Sequence, residues 1–123
     1  ATPALLDASV DGVAFPAWEE EFGWRATGQR GDDLDGRDTR TVEYGKEGKS
    51  VAYTIVPGEA LDNPEDAREV TRDGVPLRVF PSGDRLAVTW LRDGLTCVLS
   101  GEGVDEDTLT KLAVWKGGGE VTF

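Results

Sequence analysis

The sequence predicts an α+β domain: a curved antiparallel β-sheet built from hairpins, with short helical segments before it and one C-terminal helix packed on it. Three observations predict this class. From Trp24 onward, apolar and polar residues alternate with a period of two. Asp73-Gly74 and Asp93-Gly94 stand between such runs, and Asp-Gly is a strong hairpin signal. After them, Leu109, Leu112, Ala113 and Lys116 follow helical spacing.

Residues 1–22 are a lead-in punctuated by Gly12 and Pro16. They read as two short helical or irregular pieces, with a single turn over residues 16–21. Proline suits a first helical position, and Glu19 to Glu21 suit a helix start. Phe15, Trp18 and Phe22 then pack against the chain beyond residue 22. Residues 23–101 hold the strands, the first over residues 24–30. Residues 39–44 and 50–56 form a pair joined by Gly45-Lys46-Glu47-Gly48. Setting Tyr44 against Lys49 puts Val42 opposite Val51, and Val42, Tyr44, Val51, Tyr53 and Ile55 then share one apolar face.

Residues 57–67 are polar and rich in Pro, Asp and Glu, which reads as a loop or linker. Residues 68–72 and 75–80 flank Asp73-Gly74; Pro76 lacks a backbone donor, which places this hairpin at a sheet edge. In residues 85–101, setting Arg92 against Leu95 puts Trp90 opposite Cys97 and Val88 opposite Leu99. The other face holds Thr89, Leu91, Thr96 and Val98, so this hairpin reads as central and covered at least partly on both sides. The helix spans residues 105–116, with Asp105 as cap, Glu106 and Asp107 at its positive end, and Gly117 as stop. A helix of about ten residues needs tertiary packing to persist. Residues 117–123 are a flexible tail or an edge strand. The expected core is Trp24, Val42, Tyr53, Ile55, Val88, Trp90, Cys97, Leu99, Leu109, Leu112 and Trp115.

With 123 residues, the chain reads as one domain, residues 1–123. Its net charge of −11 repels polyanions, so neither nucleic acid nor an anionic membrane surface is an expected partner. No apolar run approaches the roughly 20 residues of a membrane span. Residues 1–10 lack a basic segment followed by an apolar core, so no signal peptide is expected. The sequence has no Met, which reads as a fragment or a processed chain. It has no His and one Cys. That removes the usual general base, the commonest metal ligand, any internal disulfide and any Cys-rich zinc site. No cofactor is expected.

One stretch invites a functional reading: RGDDLDGRD, residues 30–38. Arg30-Gly31-Asp32 matches an adhesion tripeptide, but three residues match often by chance. As a calcium loop the spacing fails. Placing Gly36 at the sixth position puts Gly31 at the first and Val42 at the twelfth, where a carboxylate is needed. A looser carboxylate site of Asp32, Asp33, Asp35 and Asp38 is the remaining metal candidate. The plainer reading is a solvated loop between strands, with the acids as turn formers.

Other chemistry finds no support. Cys97 has no neighbouring positive charge in sequence to activate it, and it reads as a buried small hydrophobe. Trp18, Trp24, Trp90 and Trp115 fit core packing better than the lining of an apolar pocket. Ser50, Ser82 and Ser100 have no His partner. Gly117 to Gly119 come after a helix rather than open one, so they form no phosphate cradle.

Two stretches together carry a resemblance. They are GWRATGQRGDDLDGRDTRTVEYGKEGKSVAYTIVPG, residues 23–58, and VTWLRDGLTCVLSGEGVDEDTLTKLAVW, residues 88–115. They resemble the extracytoplasmic, C-terminal domain of bacterial membrane-anchored anti-sigma factors of the zinc-finger type. The second is also similar to exported bacterial domains that pair a "tW…G…L" hairpin with an "eeL..la" helix. The resemblance implies a non-enzymatic sensor or regulatory domain on the outer face of the bacterial cytoplasmic membrane, within a single-pass protein. It implies a protein partner or a regulatory protease there. A sigma factor would be held only by a cytoplasmic His and Cys zinc module, and no residue of that motif is present here. The other reading open at this point is a secreted or periplasmic module for a small apolar or lipid-like ligand.

Overall fold

Turn chemistry sets the strand order. Asp11-Gly12, Glu47-Gly48, Asp73-Gly74 and Asp93-Gly94 each place two successive residues at positive φ, near 50° and then near 80°. This is the two-residue turn whose twist matches antiparallel strands. The structure, a computed structural model, describes residues 5–34, 36–59 and 65–116.

Around Asp11-Gly12, β1 (Leu5–Val10) pairs with β2 (Val13–Pro16) as a separate two-stranded sheet. The expected helical lead-in is thereby corrected. Among its described residues the only helix is the four-residue turn α1 (Glu19–Phe22), closed by Gly23 at φ 79°. The Asp-Gly pair and the flanking Val10 and Val13 favour a hairpin there.

The main sheet has seven strands: β3 (Arg25–Leu34), β4 (Arg37–Lys46), β5 (Lys49–Val56), β6 (Arg68–Arg72), β7 (Val75–Ser82), β8 (Arg85–Arg92) and β9 (Leu95–Glu102). Their order is β3-β4-β5-β9-β8-β7-β6, all antiparallel. Two meanders thus meet at the central pair β5 and β9. The expected curvature is not shown: the sheet is open, with β3 and β6 at opposite ends. Among the described residues β3 and β6 each pair with one neighbour, β4 and β7, and not with each other.

The central hairpin has the anticipated register, with Arg92 opposite Leu95, Trp90 opposite Cys97 and Val88 opposite Leu99. The β4–β5 register differs by two residues: Tyr44 faces Val51, and Val42 faces Tyr53. The reason is the turn, which uses only Glu47 and Gly48 rather than four residues. A shift of two keeps the same side chains on the same face. Pro76 lies opposite Thr71 of the edge strand β6, outside the β7–β8 ladder, which begins at Arg78. Its missing N–H therefore breaks no internal hydrogen bond.

One face of the sheet carries Val42, Tyr44, Val51, Tyr53, Ile55, Val79, Val88, Trp90, Cys97 and Leu99, all buried. Two covers lie side by side on it. Over β4 and β5, Trp18 stacks at 4.5 Å on Tyr44 and at 5.6 Å on Tyr53, while Phe15 meets Tyr53 edge-on at 5.4 Å. The Tyr44 hydroxyl donates to the Pro16 carbonyl at 2.6 Å. Over β8 and β9 lies α2 (Glu106–Ala113), which buries Leu109, Thr110, Leu112 and Ala113. Phe22 and Trp115 join the covers edge to face at 5.8 Å.

The helix is shorter than the expected residues 105–116. Asp105 is its cap, accepting from the Thr108 N–H at 2.9 Å. Val114 closes it, and Lys116 reaches back to the Asp73 carbonyl at 3.0 Å. The expectation for residues 117–123 lies outside the described residues. On the opposite sheet face sit Thr39, Thr41, Thr89 and Thr96, all buried, with Thr41 and Thr54 sharing a hydrogen bond at 2.8 Å.

Candidate functional site

The acidic stretch of residues 30–38 is not a loop. Both strands run through it, Asp32 pairing with Thr39, Asp33 with Asp38 and Leu34 with Arg37. The turn is closed around Gly36 at φ 83°. All ten residues of β3 are exposed, so neither face shows an apolar alternation to read from sequence.

Strand geometry decides what these acids can do. Successive side chains on a strand point to opposite faces, so Asp33 and Asp38 share one face while Asp32 lies on the other. Asp32 is matched there by Arg30, whose Nε lies 3.4 Å from Asp32 Oδ2 and whose Nη1 pairs with Glu43. Arg30-Gly31-Asp32 is thus a piece of ladder with its charges mutually engaged. Asp35 lies outside the described residues. Among the described residues, no group of three or more His, Cys, Asp or Glu is placed to hold a metal ion. A cleft of about 480 Å³ lies where the Asp11 turn approaches this hairpin tip, lined by Ser9, Asp11, Asp32, Asp33, Asp38 and Arg40 among others. Arg40 in it donates to Gln29 at 2.8 Å.

Most of the core expected from the sequence is brought together. Trp24, Val42, Tyr53, Ile55, Val88, Trp90, Cys97, Leu99, Leu109 and Leu112 are buried in one cluster, and Trp115 is half-buried against it. Within this cluster sits a group that sequence reasoning missed: Arg92, only 3% exposed. Its Nη1 donates to the Tyr53 hydroxyl at 2.9 Å. The signal was its parity, because Arg92 falls on the same face as Trp90 and Val88. Its Nε, like the indole N–H groups of Trp18 and Trp90, has no hydrogen-bond partner among the described residues.

Burial controls the electrostatics here. It drives the Tyr53 and Tyr44 hydroxyls well above their usual range, with the Arg92 charge opposing. It pushes the Cys97 thiol up to about 11, again against Arg92. A positive charge is therefore near Cys97 after all, but desolvation outweighs it and the thiol stays protonated near neutral pH.

Comparison with family models, with curated proteins and with solved structures found no match for the chain. Among the described residues, no helix is long and apolar enough to cross a membrane.

Proposed function

We propose that this chain is a non-enzymatic regulatory domain acting through protein contacts, the outer part of a bacterial membrane-anchored anti-sigma factor. The observation that carries the reading is the meeting of the two stretches that bear the resemblance. Residues 23–58 supply β3, β4 and β5, and residues 88–115 supply the end of β8, then β9 and α2. They join as one unit through β5–β9 pairing, with Tyr53 opposite Leu99 and Ile55 opposite Cys97. The resemblance therefore falls on a contiguous half of the fold rather than on scattered pieces. Its partner would be a protein or a regulatory protease outside the membrane.

The apolar-ligand reading draws nothing from the tryptophans. Trp18, Trp24 and Trp90 are buried in packed core, and Trp115 is engaged with Phe22.

The test is genetic. In the source bacterium, the coding region for residues 23–116 is deleted from the intact gene, and a reporter driven by the sigma factor encoded beside it is measured. Altered reporter output is expected. An unchanged reporter, or an upstream reading frame without a membrane span and a His and Cys module, overturns the proposal.

A further inference from the structure

The two ends of the sheet are not alike. Edge strand β6 has five residues, and its Arg68 and Arg72 are held by Glu106 and Asp107 of α2. A short, charged edge tied to a helix is a poor template for another strand. Edge strand β3 has ten residues, all exposed. It contains neither Pro nor Lys. A bulge between Ala26 and Gly28 interrupts only its start, and from Gly28 to Leu34 its ladder with β4 is unbroken. Among the described residues, no strand pairs with its outer side. Unpaired N–H and C=O groups along such an edge select an extended strand as partner.

Charge order along β3 says which strand. Arg25 stands at its beginning, paired with Glu19 at 3.3 Å, and Asp32, paired with Arg30, and Asp33 stand near its end; both pairs are solvent-exposed and free to exchange partners. We propose that the β3 edge is a self-recognition surface on which a second copy of this chain adds its own β3, antiparallel. With Thr27 taken up by the bulge, centring the two-fold axis on Gln29 sets Arg25 opposite Asp32 of the second copy, on the same face of the sheet. This register creates the attractive pair twice and places Arg30 against a small neutral residue, Gly28. Parallel addition would instead align Arg25 with Arg25 and the acids with each other. The pairing is isologous, so it closes at two copies, and the guarded β6 edge stops further growth.

A strand edge alone gives a small interface, of the weak class that buries less than about 1,200 Å². The charge of −11 on each copy opposes approach, and salt near 0.15 M confines that repulsion to about 8 Å. The dimer is therefore weak, populated at roughly 0.1–1 mM.

The experiment is sedimentation equilibrium at about 0.15 M salt, with hydrogen exchange on the β3 amides as a second readout. The wild-type chain should dimerise with concentration, and β3 exchange should slow as it does. Arg25 is 73% exposed and Asp32 61% exposed, so substitutions there should leave the thermal melt in place. Arg25→Glu alone should weaken self-association about tenfold or more, since two contacts turn repulsive. The double variant Asp32→Arg, Asp33→Arg should also weaken it. That variant carries less net negative charge, so a long-range charge effect alone would strengthen it. Mixing the two variants should restore pairing, because both contacts become attractive in the mixed dimer. A wild-type chain monomeric up to about 1 mM overturns the proposal. So does a dimer indifferent to these changes, or a mixture that pairs no better than its components.

Discussion

Tyr53 and Arg92 should be energetically coupled, and a double-mutant cycle measures by how much. Tyr53 is 1% and Arg92 3% exposed, and the guanidinium donates to the hydroxyl at 2.9 Å. A hydrogen bond with one charged member contributes about 1.5–3 kcal/mol net. Tyr53→Phe removes the oxygen, keeps the ring that meets Phe15, Trp18 and Trp90, and strands a buried donor. It should therefore destabilise by about 2 kcal/mol, a sizeable share of the roughly 5–15 kcal/mol typical of a domain. Arg92→Met keeps an unbranched apolar stem and removes the charge. In that background Tyr53→Phe should cost about 0.5 kcal/mol or less, giving a coupling of about 1.5–2 kcal/mol. Urea denaturation of the four proteins, followed by tryptophan fluorescence and far-ultraviolet dichroism, supplies the values if the two transitions coincide. Additivity within about 0.5 kcal/mol would refute the reasoning, because the contact would then be geometric proximity without energetic consequence.

Leu112→Ala and Trp90→Ala, each deleting a buried core side chain, should cost about 2–5 kcal/mol in the same denaturation assay. Asp33→Ala, on the exposed strand, should stay within about 0.5 kcal/mol, and calcium should not raise the melting temperature; a cost like that of Trp90 would mean that the hairpin tip holds a bound group. Cys97 should label slowly in the native protein and quickly once unfolded. Because its folded thiol is raised to about 11, the unfolded chain ionises first: stability should fall as pH rises through the unfolded thiol range, and this first part of the fall should be missing from Cys97→Ala, which keeps the later fall due to the buried Tyr44 and Tyr53 hydroxyls. The Thr108 side chain, and then its backbone N–H, hold the Asp105 carboxyl below its usual range. Asp105→Ala should therefore destabilise at neutral pH, and its difference from wild type should shrink as pH falls through the folded carboxyl value and vanish below it; a difference that persists in strong acid would rule out the charged cap.

Most of the sheet was legible in the sequence. Alternation over Arg85 to Leu99 and the Asp93-Gly94 turn placed Trp90 opposite Cys97 and Val88 opposite Leu99, because a half-buried strand has a period of two and an Asp-Gly turn has only one comfortable geometry. Asp105 and the Leu109, Leu112 stripe likewise announced a capped, one-sided helix. The same Asp-Gly signal stood at Asp11-Gly12, but Pro16 and the run of glutamates spoke for a helix, and only packing of Phe15 and Trp18 on Tyr53 decided for a hairpin. Other features depend on contacts distant in the chain. The β3–β4 hairpin is exposed on both sides along β3, so β3 carries no apolar rhythm and its acids looked like a loop; pairing to β4 made them a ladder and sent Asp32 and Asp33 to opposite faces. The order of the two meanders, joined through β5 and β9 rather than in chain sequence, is a matter of which apolar faces meet. The burial of Arg92 is likewise a tertiary outcome: its parity was legible, but whether that end of the strand is covered depends on Tyr53, which lies 39 residues away along the chain.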